Sequence, residues 1–269
     1  MDILVAYLKR REDNISFLLN KPRGLFTSGT FHKLRVEIKK LNALFCLIKF
    51  CVRNFKKKKL FKPFRTVFRL AGKVREIQVE EAMLNKYFIN NMVKPYRDRL
   101  IDLRIKKQKV FFRTLNKRFF KEIKKNFRKV YPCIENIKKE DVYGFLKNRQ
   151  SGIRKITSRN PLEISQMHLL RKEIKMFNYN MKSLDLQSYS GQIPGADDLT
   201  ELLGKWHDCQ VISANLENAI NSEGLNESEL DRLENIRNRI ILNGGILFEK
   251  INSLIPASGY FNLSENEFS

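Results

Sequence analysis

The sequence predicts an all-α protein made of two similar helical halves, and three observations carry that prediction. Apolar residues recur at spacings of three and four along most of the chain, no stretch alternates strictly enough to be a strand, and a helix-length motif occurs twice. With 269 residues and 42% hydrophobic content, the chain can bury a sizeable core.

Turn chemistry divides the chain in order. Lys21-Pro22-Arg23-Gly24 closes a first segment. From Phe31 to Phe55, Leu34, Ile38, Leu41, Phe45 and Ile48 share one helical face. Lys62-Pro63 is the next break. Leu100 to Val130 reads as one long helix with Leu103, Phe111, Phe112, Leu115, Phe119, Ile123 and Phe127 turned inward. Further breaks fall at Tyr131-Pro132, Thr157 to Pro161, Ser188 to Gly195 and Ser222-Glu223-Gly224, which leaves about eight helical segments, as in a helical bundle.

The repeat is the most informative feature. His32-Lys-Leu-Arg-Val-Glu-Ile-Lys-Lys-Leu-Asn42 aligns with His168-Leu-Leu-Arg-Lys-Glu-Ile-Lys-Met-Phe-Asn178, 136 residues later, with seven of eleven positions identical. A second pair follows in the same order: Gly72-Lys-Val-Arg-Glu-Ile-Gln-Val79 and Gly204-Lys-Trp-His-Asp-Cys-Gln-Val211. One matched helix could arise by chance. Two in register imply a duplicated unit, here with an N-terminal half at 1–131, a connector at 132–162, a C-terminal half at 163–255 and a tail at 256–269.

Charge narrows the partner. Lys and Arg number 52 against 29 Asp and Glu, a net +23 with an isoelectric point near 9.9. Residues 1–150 hold 40 basic and 13 acidic side chains, net +27, whereas 151–269 hold 12 and 16, net −4. Such a field concentrates polyanions: nucleic acid, an anionic membrane or polymeric phosphate. Cys46, Cys51, Cys133 and Cys209 lack metal-ligand or disulfide-scaffold spacing and read as small buried hydrophobes. Lys9, Arg10 and Arg11 interrupt any signal-peptide core, and the apolar run Ala43 to Val52 is broken by Lys49 and falls far short of the ~20 residues needed to span a bilayer. A soluble, cytoplasmic protein is expected.

Helical rotation of about 100° per residue groups the cations. His32, Arg35, Lys39 and Asn42 fall within a quarter turn beside the Leu34/Ile38/Leu41/Phe45 face, and His168, Arg171, Lys175 and Asn178 repeat the arrangement. Rows at the border of a buried face belong at the edge of a groove between helices, where partial desolvation strengthens their charges. On the expected long helix, Lys106, Lys109, Arg113, Lys117, Lys121, Lys124 and Arg128 form another stripe with almost no interleaved acid. Like charges at such spacing repel and call for an anionic partner. Arg35, Arg75 and Arg171 can grip two phosphate oxygens at once, whereas Lys acts as a mobile point charge. His32 and His168 are expected in first helical turns, where imidazolium needs an anion nearby, so binding should tighten below neutral pH. Glu76 and Asp208 read as partners that orient cations, and Gly72 and Gly204 as sites of close helix approach, since neither lies in a phosphate-loop motif.

On these residues the chain resembles the CHAD family, the conserved-histidine α-helical domains, which show H-x-x-R-[VA]-x-x-[KR]-R-L-R and then L-G-x-x-R-D-x-D-V in each half. His32, Arg35, Val36, Lys39, Lys40 and Leu41 precede Gly72, Arg75, Glu76 and Val79; His168, Arg171, Lys175 and Tyr179 precede Leu203, Gly204, Asp208 and Val211. The resemblance implies a single CHAD domain over 1–269: two pseudo-symmetric helical bundles of about four helices each, with a basic groove between them. It also implies binding of inorganic polyphosphate and association with polyphosphate granules. His32, Arg35, Lys39, Lys40, Arg75, His168, Arg171 and Lys175 would line the binding surface, extended by Lys109, Arg113 and Lys117 from the charge row. The chain departs from the pattern at Asn42, Asn178 and Met176, where basic residues are usual, and at Glu76 and Gln78, where Asp is usual. The E-x-E-x-K motif of the fused triphosphate-hydrolysing domain is absent, so no enzymatic activity, metal or cofactor is carried over.

The alternative is a nucleic-acid-binding helical protein, which the charge alone would favour. The 20 Phe fall mainly on buried faces and there is one Trp, which leaves little for base stacking, and neither a helix-turn-helix nor a zinc signature is present. No basic helix has an unpartnered apolar face for a membrane surface.

Overall fold

The computed structural model describes residues 2–87, 93–159, 161–184, 196–222 and 224–257, and among them every regular element is helical. The α-helices are α1 (Asp2–Leu19), α2 (Ser28–Cys51), α3 (Lys57–Leu60), α4 (Lys62–Tyr87), α5 (Lys94–Thr114), α6 (Lys117–Glu135), α7 (Lys139–Thr157), α8 (Ile164–Ser183), α9 (Ala196–Ile220) and α10 (Glu227–Ala257). A 3-10 turn at Arg23–Leu25 precedes α2. No helix among the described residues is long and apolar enough to cross a membrane.

Local chemistry sets the helix ends. Thr27 Oγ1 accepts the Thr30 N–H at 3.3 Å to start α2, and Asn226 Oδ1 accepts the Glu229 N–H at 2.9 Å to start α10. Glu163 and Gln166 satisfy each other's backbone donors in a capping box at α8. Pro63 sits in the first turn of α4, where its missing N–H is no loss. The expected breaks at 21–24, 62–63, 157–161 and 222–224 are therefore helix boundaries, the last using Gly224 at φ 95°. The break expected at Ser188–Gly195 lies outside the described residues.

Three expectations about the basic helix are overturned. Leu100 to Val130 is not one helix: α5 stops at Thr114, Leu115 N–H turns back to the Phe112 carbonyl, and the Asn116 side chain caps α6 by accepting the Phe119 N–H at 3.0 Å. The turn lets Phe111 and Phe112 pack on Phe26 and Phe31 while Phe119, Ile123 and Phe127 enter the core from a separate helix. The cation row is thereby cut into Lys106, Lys109 and Arg113 on α5 and Lys117, Lys121, Lys124 and Arg128 on α6. Leu103, expected inside, is exposed. Pro132 does not end α6, which continues to Glu135; it removes one backbone hydrogen bond near an exposed helix end, too little to break the helix.

Helix packing reproduces the repeat. α1 packs on α2, α2 on α4 and α4 on α5; in the same order α7 packs on α8, α8 on α9 and α9 on α10, while α2 and α8 pack on each other. α7 begins 25 residues before α8, as α1 begins 26 before α2, so the segment read as a connector carries the counterpart of α1, and α6 is the added link. The larger hydrophobic cluster runs through α1, α2, α4, α6, α7 and α8 and reaches α9 and α10. A second joins Ile77 and Leu84 of α4 and Tyr96 and Leu100 of α5 to Cys209, Ile212 and Leu216 of α9 and Leu233, Ile236 and Ile240 of α10. Each cluster draws on both halves, so neither half is packed without the other.

Phe45 of α2 is fully buried against Phe55, Phe61 and Phe64, with ring centroids 5.4, 5.5 and 6.3 Å away. Phe45→Ala should cost about 3–5 kcal/mol, read as a lower urea midpoint with an unchanged slope.

Candidate functional site

The face of α2 beside its buried stripe meets the matching face of α8. Between them, closed by the start of α4, lies a cavity of about 300 Å³ lined by Ile38, Lys39 and Asn42 of α2, Arg171, Lys175 and Tyr179 of α8, and Phe61, Arg65 and Phe68. Of the two helical rows read from the sequence, Lys39 and Asn42 thus face Arg171 and Lys175 across one opening, while His32, Arg35, His168 and Asn178 are not among its lining residues.

Arg35 is the best anchored of these cations. Its Nη1 donates to the Phe68 carbonyl at 2.9 Å, and its guanidinium carbon lies 4.3 Å above the Phe68 ring. Gly72 makes this possible, because a β-carbon there would collide with Arg35 Nη1. The close approach at Gly72 is therefore between helix and side chain. Gly204 has nothing within 4 Å of the equivalent position, so it holds no close contact and that expectation is overturned.

Lys39 lies deeper. Its Nζ is 5.9 Å from the Phe68 centroid, and burial, followed by the charges of Lys175, Arg35 and Arg171 and opposed by Asp208, pushes its ammonium down to about 8. Lys175 is lowered by burial and by Arg171, and Arg35 and Arg171 are lowered chiefly by burial. The Arg171 Nε is buried with no hydrogen-bond partner among the described residues. Asp208 of α9 is the nearby carboxylate: burial raises it, against the pull of Arg171, Lys175, Arg75 and Lys39. The site is an excess of partly desolvated positive charge answered by half-buried Asp208 and, at Arg35, by exposed Glu76.

The other candidates are distributed around it. His32 is exposed and lines a separate hollow with Lys33, Glu37 and Lys40; partial burial, then the charges of Arg75, Lys39, Arg35 and Lys175, lower its imidazole. Arg75 donates to Ser28 Oγ at the head of α2. His168 lies against Trp206 and His207, with centroids 4.7 and 5.2 Å away, and burial together with Arg171 pushes His207 down to about 4. Both His32 and His168 are the fifth residues of their helices, past the first turn expected for them, where the influence of the helix dipole has fallen off.

Lys40 is drawn elsewhere. It pairs with Glu37 at 2.8 Å, and Glu37 also meets Arg11 of α1 at 3.1 Å, so Lys40 belongs to the α1–α2 contact and not to the cavity. Lys109, Arg113 and Lys117 are exposed and do not line the cavity. Sequence reasoning missed Arg65, Lys172 and Phe68. The signal for Arg65 was a helical row, Lys62, Arg65, Arg69 and Lys73, all exposed on one face of α4. Among the described residues no three His, Cys, Asp or Glu side chains come together as a metal site.

The comparisons agree with this architecture. A family model described as the CHAD domain matches residues 26–217. The crystal structure of the CHAD domain from the plant Ricinus communis superposes with a TM-score of 0.73 at 13% identity, covering 95% of this chain and 89% of that one. PptA from Streptomyces chartreusis superposes with a TM-score of 0.68 at 10% identity, covering 93% and 98%. At those identities the likeness is one of fold. No curated protein sequence matches the chain.

Gly72→Ala should lower the thermal midpoint, since displacing Arg35 outweighs the ~1 kcal/mol gain in helix propensity. Gly204→Ala, with open space, should raise it by about that gain. Equal shifts in the two variants would remove the role given to Gly72.

Proposed function

The chain belongs to the CHAD domain family, and from that premise we propose that it binds inorganic polyphosphate non-catalytically, in the groove between α2 and α8. The observation that carries this is the convergence of Lys39, Arg171 and Lys175 on one cavity, with Arg35 close to Lys39, where burial and the charges of Lys175, Arg35 and Arg171 lower Lys39 to about 8. A buried cation held down by other cations is stabilised by any anion that enters. A chain of phosphates supplies several anions at a spacing that flexible lysines can follow, while the arginines grip oxygens in pairs.

Two outer surfaces support the polymer reading. The exposed row Lys62, Arg65, Arg69 and Lys73 leads along α4 from the groove, where Arg65 is a lining residue. On α6, Lys121, Lys124, Lys125, Arg128 and Lys129 form a separate concavity made of cations alone. Binding by charge pairing releases counterions, so affinity should fall steeply with salt, by analogy with nucleic acids. Of the aromatic side chains lining the groove, Phe61 is buried and Phe68 lies under Arg35, so both are engaged, and half-buried Tyr179 is the one that remains for a base to meet.

Titration with polyphosphates of graded length at fixed ionic strength should show affinity rising with length, and long polyphosphate should displace DNA and RNA. Lys39→Met should weaken polyphosphate about tenfold or more, the scale of one charge-assisted hydrogen bond, while raising the thermal midpoint because a repelled buried cation is gone. A lysine of purely structural value would lose stability on the same change.

The sign of the pH dependence follows from Lys39. In the free protein its ammonium titrates at about 8, and bound phosphate raises that value, so binding takes up a proton above pH 8. Affinity should be at its full value below pH 8 and decline as pH rises through 8, and Lys39→Met should flatten the decline. His32, lowered in the free protein, adds a further gain on the acidic side of neutral. Isothermal titration in buffers of different ionisation enthalpy measures the proton uptake directly.

A further inference from the structure

α2 and α3 meet through a contact between an amine and a thiol. Lys57 Nζ stands 2.7 Å from Cys46 Sγ. That separation is ordinary for N–H···O, which spans ~2.7–3.2 Å, but sulfur is larger than oxygen and its hydrogen bonds are longer. It is also well beyond a direct nitrogen–sulfur bond. One oxygen atom placed between the two would span it.

The surroundings favour the pair. From Ile38 to Arg75 the chain contains no Asp or Glu, so no local carboxylate competes for the Lys57 amine. Cys46 is half-buried at the edge of the large core, and Lys57 is half-buried on a single helical turn, so both are held and both can be reached. Burial pushes Cys51 up to about 12 and raises Cys133 and Cys209, and Cys133 Sγ donates to the Lys129 carbonyl.

We infer that Cys46 and Lys57 form an oxidative cross-link in which one oxygen bridges the cysteine sulfur and the lysine nitrogen. Hydrogen peroxide is the oxidant. The thiol first takes one oxygen from a peroxide, giving the sulfenic acid and one water. The sulfenic acid and the neutral amine then react with a second peroxide: the N–O bond forms, one N–H and the S–O–H proton are lost, and two waters leave. Sulfur and nitrogen each lose two electrons, and the two peroxides accept all four. The product ties the end of α2 to α3 and removes one cation from the Lys56–Lys59 run. Asn42, one turn before Cys46, and Phe61, one turn after Lys57, both line the central cavity, so the link braces one wall of the groove. The cross-link stands whether or not the groove binds polyphosphate.

The test is peroxide treatment of the purified full chain, followed by intact mass measurement and peptide mapping. A gain of about 14 Da, one oxygen less two hydrogens, should appear, join the peptides of Cys46 and Lys57, and disappear with a thiol reductant. The thermal midpoint should rise on oxidation and return on reduction. Lys57→Arg keeps the charge and should instead give the sulfinic and sulfonic acids of Cys46, gains of about 32 and 48 Da, with no rise in midpoint. A loss of about 2 Da, which marks a direct sulfur–nitrogen bond, would overturn the oxygen bridge. The same acid products in both proteins would overturn the cross-link altogether.

Discussion

The structure depends on apolar packing between α2 and α8 that holds four cations closer together than they would stand in water. Leu34, Ile38 and Leu41 on one helix and Leu170, Ile174 and Phe177 on the other are buried in one core. The polar rows that border those faces, Arg35 and Lys39 with Arg171 and Lys175, cannot separate without opening that core. Each buried aliphatic side chain contributes roughly 1.5–3 kcal/mol, enough to sustain several repulsive pairs in a partly solvated opening. The low ammonium of Lys39 registers that repulsion and the burial together, as tension that an entering anion relieves.

Duplication explains why like meets like. When two copies of one helix pack against each other across an approximate twofold, a row on one border must face the same row on the other copy. A single helix with His-x-x-Arg-x-x-x-Lys on its flank is an ordinary basic helix. Two of them packed together make a cationic channel without any further change of sequence. The acids follow the same logic: Glu76 and Asp208 occupy matching places, and each acts on the arginine of its own half, Arg35 or Arg171. Because each hydrophobic cluster draws on both halves, the channel is built into the folded core and does not depend on a loose contact between domains.

What the sequence made legible was periodic and local. Helical spacing, the repeat and the flanking cations are properties of ten or so consecutive residues, and all three reappear in the structure, with Lys39, Arg171 and Lys175 on one cavity and Arg35 close to Lys39. What it hid depended on contacts between distant segments. The break at Asn116 was masked because the apolar period resumes in register beyond it, so periodicity alone cannot distinguish one bent path from one straight helix. Lys40 sits beside Lys39 in sequence, yet rotation carries it toward Glu37 and Arg11, a pairing visible only once α1 is in place. Gly72 carried no phosphate-loop signature, and its purpose, room for a guanidinium from another helix, has no local trace. Arg65 was missed because a single exposed row on α4 looks like any solvated face until the groove beside it is known.

The two copies have since become unequal, and the inequality divides the work of the site. Arg35 is held on three sides by the Phe68 carbonyl, the Phe68 ring and the space over Gly72. Arg171 has no such lodging: Gly204 offers only open space, and its Nε finds no partner among the described residues. A guanidinium already committed to its own protein presents a fixed point of charge, since moving it would forfeit a hydrogen bond and a cation–π contact. One with an unmet donor gains by turning toward a ligand, because a buried unpaired N–H is costly until it is satisfied. The groove therefore has a rigid wall and an adaptable wall. For the polyphosphate proposed above, the fixed side would set the register and the other would adjust to whatever curvature the chain brings.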